Sequence, residues 1–148
     1  MHYTSTITWK HDSATPFNAK SYDRTHDIKF GGGTNITGSS APEYLGKKEL
    51  VNPEELFTAS LSSCFMLTFL YLAAMKGLIV EEYVADAVGT LGKNAEGKMA
   101  MTEVIIKPRI KFQSEPEKAV LDDLFKKAHD NCFISSSVKT KVSIESSN

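Results

Sequence analysis

A stretch of twenty residues without a charged side chain limits the possible folds of this chain more than any other feature of the sequence. Between Leu56 and Met75 there is no Asp, Glu, Lys or Arg, and this is about the length that a helix needs to cross a bilayer. A helix that is apolar on all sides either spans a membrane or forms the centre of a larger core. Hydroxyl side chains interrupt the stretch at Thr58, Ser60, Ser62, Ser63 and Thr68. These hydroxyls, and the soluble-type strands in the rest of the chain, favour a core helix.

Residues typical of helix ends flank this stretch. Asn52 can cap the N-terminus and Pro53 suits the first helical position. Glu54 and Glu55 lie where the helix dipole favours negative charge. Gly77 is typical of a helix stop. Because one chain of this size can hardly cover such a helix completely, we predict a homodimer that covers it from both sides.

Most of the remaining chain is predicted to form strands. We expect strands over residues 3–10, 22–30, 82–91, 99–112 and 138–145. A loop rich in Gly, Ser and Pro is expected between the second strand and Val51. A second amphipathic helix begins near Pro116, and its apolar stripe continues to Cys132. The order β-β-α-β-β-α-β predicts an α+β fold with antiparallel sheets around a long buried central helix.

Length and charge narrow the range of functions. The 148 residues are predicted to form a single domain, 1–148, with a substantial core. The net charge of −1 gives no indication of a nucleic-acid or membrane partner. The N-terminal residues lack the basic start and apolar run of a signal peptide. We therefore expect a cytoplasmic protein, in a compartment that keeps thiols reduced.

Two cysteines are expected to face inward. Cys64 lies in the middle of the uncharged stretch, and Cys132 continues the stripe of the second helix. Structural disulfides are unusual in a reducing compartment, so the pair suggests redox chemistry. A thiol that attacks a peroxide must be ionised, but burial alone raises the pKa of a cysteine. A cation is therefore needed near Cys64.

The chain has two arginines that could supply this cation. Arg109 shares a strand face with Lys107 and Lys111, so we expect it to be solvated. Arg24 shares a face with Ile28 in the predicted second strand, and alternation directs it inward. An inward guanidinium needs partners, and a Glu54 or Glu55 carboxylate and a Cys64 thiolate are candidates. The alternative is an edge-strand arginine whose charged end reaches water.

These residues carry a family resemblance. Asn52-Pro53-Glu54-Glu55-Leu56-Phe57, followed by Ser63-Cys64-Phe65 and by Cys132 near the end of a second helix, resembles the OsmC/Ohr family. The names stand for osmotically inducible protein C and organic hydroperoxide resistance protein. The resemblance extends over nearly the whole chain. The surroundings of Arg24 and the long loop before Asn52 look like those of a less-characterised OsmC-like branch.

The resemblance implies a thiol-dependent peroxidase that acts on organic hydroperoxides in oxidative-stress defence. It implies an intertwined homodimer with active sites at the subunit interface. The catalytic set carried over is Cys64 as the peroxidatic cysteine, Cys132 as the resolving cysteine, Arg24 and Glu54. Cys64 would form a sulfenic acid and then a disulfide with Cys132, which an external dithiol of lipoyl type would reduce. No cofactor or metal is required.

Helix geometry limits how Glu54 can act. Ten residues of unbroken helix span about 15 Å, so Glu54 cannot contact Cys64 along a straight helix of its own chain. Either the helix is broken between them, or Arg24 bridges the gap, or the other subunit contributes.

Three other interpretations remain open at this point. Cys64, Cys132 and His129 could bind a metal ion, although no Cys-x-x-Cys pair supports this. A Cys–His hydrolase would use His26 or His129 to activate a cysteine. Lastly, the chain could bind an apolar ligand without catalysis, with the cysteines as small core residues.

Overall fold

The computed structural model describes all residues, 1–148, which form two compact units, 1–56 and 57–148. The elements in chain order are β1 (Ser5–Thr8), β2 (His26–Phe30), β3 (Asn35–Gly38), α1 (Pro53–Met75), β4 (Val80–Lys93), β5 (Met99–Phe112), α2 (Lys118–Asp130) and β6 (Lys141–Ile144). Two short 3-10 turns, Pro42–Tyr44 and Ser135–Ser137, complete the secondary structure. The predicted α+β class with a long central helix is confirmed.

The first unit is built on a three-stranded antiparallel sheet in the order β1-β2-β3. The third strand was not predicted, because Asn35–Gly38 lies in the segment expected to be a loop. After β3, Ser39 is fully buried, and its backbone N–H donates to Val51 O at 2.9 Å. Its hydroxyl accepts a hydrogen bond from the Lys47 N–H at 3.2 Å. Much of the long loop is therefore fixed by hydrogen bonds.

Helix α1 begins and ends as predicted. The Glu55 N–H donates to Asn52 Oδ1 at 2.9 Å, and the Asn52 N–H donates to Glu55 Oε2 at 3.0 Å. This reciprocal pair is a capping box, which satisfies backbone donors that have no partner within the helix. The C-terminal end is closed at Gly77, which has a φ of +73°. The Leu78 N–H reaches back to Ala73 O at 3.0 Å.

The second unit contains a sheet in the order β4-β5-β6. Strands β4 and β5 form a long antiparallel hairpin, whereas β6 pairs with β5 in parallel. The predicted antiparallel arrangement holds for the β4–β5 pair but not for the β5–β6 pair, because α2 carries the chain back before β6 begins. The core of this unit contains one face of α1, the inner face of β5 and the apolar stripe of α2.

Only one face of α1 is covered within the chain. The buried residues of the helix are Leu61, Phe65, Phe69 and Ala73. On another face, Leu67, Tyr71 and Met75 are 60%, 64% and 70% exposed. By length and composition α1 could cross a membrane, but the core helix of a soluble protein has the same properties. The chain thus leaves an apolar face of α1 exposed.

Candidate functional site

The two cysteines meet in the second unit. Cys64 lies in the middle of α1 and is partly buried, whereas Cys132 follows the end of α2 and is fully buried. Both are free thiols, and they are close enough for Cys132 to raise the pKa of the Cys64 thiol. Helix α2 ends at Asp130, so Cys132 lies just beyond the helix on which its stripe was predicted. Two neighbouring thiols can form a disulfide after one sulfur is oxidised.

The surroundings of Cys64 favour its neutral form. Burial raises the pKa of the Cys64 thiol, and the hydrogen bond with Cys132 raises that pKa further. The backbone N–H groups of Ile134 and Phe133 act in the opposite direction, because they donate to the sulfur and stabilise its charge. Burial therefore raises the pKa of Cys64, as the sequence analysis predicted for an inward-facing cysteine. The backbone donors could not be read from the sequence.

Arg24 does not lie in a strand, and this corrects the prediction of a strand over residues 22–30. Strand β2 begins only at His26. Asp23 Oδ1 accepts hydrogen bonds from the Thr25 N–H at 2.8 Å and from the Thr25 hydroxyl at 2.6 Å. Such a local turn replaces the strand ladder at these residues. The inward orientation predicted for Arg24 assumed the alternating side chains of a strand, and residue 24 lies outside the strand.

The guanidinium of Arg24 is held inside the first unit. It donates to Tyr22 O at 2.8 Å and to Ala19 O at 2.7 Å. Its central carbon lies 4.0 Å from the centroid of the Tyr22 ring, in cation–π geometry. The two carbonyls leave the charge intact and use only part of its donor capacity. Arg24 is therefore held at a defined position in the first unit.

The neighbouring Asp23 is also fixed. Lys47 Nζ lies 3.0 Å from Asp23 Oδ2. The Thr25 hydrogen bonds, and then Lys47, lower the pKa of Asp23 to about 2. Trp9 Nε1 donates to Asp23 O at 2.6 Å. These contacts hold the chain on both sides of Arg24.

The two glutamates of the first helical turn differ in their contacts. Glu55 is occupied by the capping box with Asn52, so it is not the free carboxylate that Arg24 would need. Glu54 lies in the same turn and is partly buried. Because α1 runs without a break from Pro53 to Met75, a broken helix between Glu54 and Cys64 is excluded. A bridge through Arg24 and a contribution from the other subunit remain.

Arg109 is a surface residue, as expected. Its Nη1 lies 2.6 Å from Asp86 Oδ2, and its side chain is 52% exposed. Among the phenylalanines near the cysteines in sequence, Phe65 is fully buried in the core. Phe133, by contrast, is 82% exposed directly after Cys132. Of Phe65 and Phe133, only Phe133 is exposed enough to contact an apolar molecule.

The metal and hydrolase interpretations find little support in the geometry. No group of three or more His, Cys, Asp and Glu side chains is positioned to hold a metal ion. The Nδ1 of His129 is buried and has no hydrogen-bond partner, so it does not activate a thiol. The Nδ1 of His26 is hydrogen-bonded to Arg24 O at 2.8 Å. Neither of these ring nitrogens is placed as a base for a cysteine.

Comparison with known proteins establishes the family. The model of the OsmC-like protein family matches residues 46–147. This chain belongs to the OsmC-like family. The resemblance read from the sequence is therefore confirmed.

Similar proteins have the same fold. An OsmC-like protein of unknown function from Vibrio cholerae is 39% identical, with a TM-score of 0.94 and 99% of each chain covered. The organic hydroperoxide resistance protein OhrB of Bacillus subtilis is 17% identical, with a TM-score of 0.65 and 97% of each chain covered. The uncharacterized protein YmaD of Bacillus subtilis is 25% identical over 117 residues, which are 76% of this chain and 77% of YmaD.

Proposed function

We propose that this OsmC-like protein is a thiol peroxidase that reduces organic hydroperoxides in oxidative-stress defence. The observation that carries the proposal is the pair of neighbouring free thiols, one partly buried and one fully buried. The fold is shared with proteins described as organic hydroperoxide resistance proteins, from Elizabethkingia anophelis and Bacillus subtilis. Family membership supports a role in peroxide resistance or stress.

In the proposed reaction, Cys64 is the peroxidatic cysteine because it is the more accessible of the two. Its thiolate attacks the terminal oxygen of the hydroperoxide, the O–O bond breaks, and an alcohol leaves after protonation of the alkoxide. Cys64 becomes a sulfenic acid. The Cys132 thiol then attacks this sulfur, a disulfide forms and water leaves. An external dithiol, for which a lipoyl group is the candidate, restores both thiols by exchange.

Arg24 and Glu54 complete the proposed set. Arg24 supplies the cation that a buried thiolate requires, and its charge also stabilises the leaving alkoxide. Glu54 holds the guanidinium through a charge-assisted hydrogen bond. The fixed position of Arg24 between two carbonyls and the Tyr22 ring supports this role. The exposed Phe133 ring supports an apolar substrate in preference to hydrogen peroxide.

Mass spectrometry after one equivalent of cumene hydroperoxide tests this function. We expect an intramolecular Cys64–Cys132 disulfide in the unmodified protein. In Cys132→Ser we expect a sulfenic acid at Cys64, because no second thiol can condense with it. In Cys64→Ser, Cys132 should remain a thiol, since it is fully buried. If Cys64 remains a thiol both in the protein without substitutions and in Cys132→Ser, the peroxidase function is wrong.

The open face of α1 supports the homodimer in which this site would operate. Leu67, Tyr71 and Met75 form an apolar surface that the protomer leaves uncovered, and a second copy can cover it by the same hydrophobic effect that builds the core. We expect sedimentation to give a dimer for the unmodified chain and a monomer for Leu67→Glu. The control is Lys118→Glu, which adds negative charge on exposed α2 and should remain dimeric. A dimer that survives Leu67→Glu would contradict this interface.

A further inference from the structure

Two ring N–H groups hold the peptide units on either side of Arg24. The indole Nε1–H of Trp9 donates to Asp23 O at 2.6 Å, and this carbonyl belongs to the peptide unit that precedes Arg24. The Nδ1–H of His26 donates to Arg24 O at 2.8 Å, in the peptide unit that follows. A carbonyl oxygen only accepts, so His26 carries a proton on Nδ1. Because each peptide unit is planar, these two hydrogen bonds fix the backbone of Arg24 from both sides.

The end of the β1–β2 ladder places both donors. The last pair of this ladder is Thr8 with Asp27, and Trp9 and His26 are the next residues along the two chains. Strand pairing also sets His26 opposite Gly38 of β3. A Cβ atom at Gly38 would lie 3.1 Å from His26 Nε2, so the missing side chain leaves room for the imidazole ring. The register of the sheet therefore decides where both ring donors lie.

Aromatic packing fixes the orientation of the Trp9 ring. Its centroid lies 5.7 Å from that of Phe17 and 6.2 Å from that of Tyr22, which it meets edge-on. Aromatic pairs at such distances have preferred geometries. The Tyr22 ring is also the one that the Arg24 guanidinium covers, with its central carbon 4.0 Å from the ring centroid. Trp9 thus acts on the Arg24 segment twice, through Asp23 O and through the Tyr22 ring.

We infer that Trp9 and His26 are the positioning residues of Arg24, and that the proposed reaction depends on both of their ring N–H groups. The inference deepens the proposed function and rests on it. All of these contacts lie within the first unit. A group that stabilises developing charge acts fully only when it is held in place beforehand, and a small misplacement of such a group lowers the rate. Neither ring has to touch the substrate for this role.

The chain has two arginines, so a proton–nitrogen correlation spectrum of the arginine side chains can follow Arg24 by itself. The ring current of Tyr22 should shift the Arg24 Nε–H resonance upfield, and Tyr22→Leu, which removes the ring, identifies this signal. The exposed Arg109 is the internal reference. Trp9→Phe keeps an aromatic ring but removes the N–H donor. We expect it to move the Arg24 resonance towards the position of an exposed arginine.

His26 offers a matched set of variants for the second donor. Asparagine places its side-chain N–H near the position of the imidazole Nδ1, whereas glutamine places its own nearer that of Nε2. His26→Asn should therefore keep the donor to Arg24 O and the shifted Arg24 resonance, while His26→Gln and His26→Leu should lose both. Circular dichroism shows whether each variant is folded. An Arg24 resonance that stays in place in Trp9→Phe, His26→Gln and His26→Leu would overturn the inference.

Oxidation of Cys64 by cumene hydroperoxide measures the consequence for the reaction. We expect Trp9→Phe and His26→Leu each to slow it about tenfold, the effect of losing one hydrogen bond that holds a catalytic group. His26→Asn should restore most of the rate. In the Arg24→Met background, Trp9→Phe and His26→Leu should have no further effect, because no guanidinium is left to position. Equal falls with and without Arg24 would show that both rings act only on the fold, and would overturn the inference.

These outcomes separate the inference from the proposed function. The spectrum reports the position of Arg24 without any hydroperoxide, whereas the oxidation rate reports the reaction. If the resonance moves as expected but Cys64 is not oxidised even in the protein without substitutions, the peroxidase function fails and the positioning contacts stand. If Cys64 is oxidised equally fast in Trp9→Phe, in His26→Leu and in the protein without substitutions, the inference fails and the peroxidase function stands.

Discussion

We expect Arg24→Met to slow the oxidation of Cys64 by cumene hydroperoxide about 100- to 1000-fold. This is the usual effect of removing one group that stabilises charge in a transition state. The positive charge of Arg24 matters here because burial raises the pKa of the Cys64 thiol and so disfavours the reactive thiolate. Methionine keeps an apolar side chain of similar length but carries no charge. Single-turnover kinetics, followed by quenching and mass spectrometry of Cys64, measure the rate.

Arg109→Met is the matched control for this experiment. Arg109 and Arg24 are the two arginines of the chain, and Arg109 is an exposed partner of Asp86. Its removal should leave the oxidation rate unchanged, since exposed ion pairs contribute little. Arg24→Lys should lie between the two, because lysine keeps the charge but lacks the planar array of donors. Equal rates for Arg24→Met and Arg109→Met would show that Arg24 is not the cation of this site.

The pH profile gives a second readout of the same variant. A cation beside Cys64 lowers the pKa of the thiol relative to burial alone. In Arg24→Met the rate should therefore reach its plateau only at a higher pH than in the unmodified protein. A loss of rate that stays constant across pH would indicate instead that Arg24 acts only on the leaving oxygen.

Elements with strong local signals were predictable from the sequence. The start of α1 follows from Asn52 and Glu55, which form the capping box within four residues of chain. The β4–β5 hairpin follows from its turn, where Asn94 Oδ1 accepts from the N–H groups of Glu96 and Lys98. In both cases the deciding contacts lie close in sequence, so residue types alone indicate them.

Elements that depend on distant partners were not predictable in the same way. Asn35–Gly38 becomes a strand because it pairs with β2, not because its residues favour strands. The parallel pairing of β6 with β5 depends on the return of the chain through α2. The groups that lower the pKa of the Cys64 thiol belong to the backbone, and every non-proline residue carries such groups. Only the folded turn distinguishes those of Phe133 and Ile134.

The error at Arg24 has a local cause. The pattern of residues 22–30 alternates well enough to extend β2 backwards. Asp23 and Thr25, however, are residues whose side chains compete for backbone hydrogen bonds, and the Asp23–Thr25 contacts end the strand at His26. The spacing of Asp23 and Thr25, two residues apart, was the sequence signal that indicated a turn at this point.

Removing the ring of Phe69 should have the largest effect on stability. Phe69 is fully buried, and its ring centroid lies 6.4 Å from Phe65, 5.2 Å from Phe125 and 6.0 Å from Tyr83. These distances are typical of aromatic pairs, which stabilise beyond the area they bury. We expect Phe69→Ala to lower the free energy of unfolding by about 3–5 kcal/mol. Urea denaturation followed by circular dichroism, at one fixed protein concentration, measures the change.

Phe69→Leu is the control, because it keeps most of the buried volume and should lower the free energy of unfolding by about 1.5 kcal/mol or less.

The two variants also test how the thiol pair is held. Phe69 and Phe65 are on the face of α1 that packs against Phe125 of α2, and these helices carry Cys64 and lead to Cys132. A cavity between them should slow closure of the disulfide more than the first oxidation of Cys64, since only closure needs both helices in register. If Phe69→Ala cost no more than Phe69→Leu, the aromatic cluster would not be the contact that holds α1 on α2.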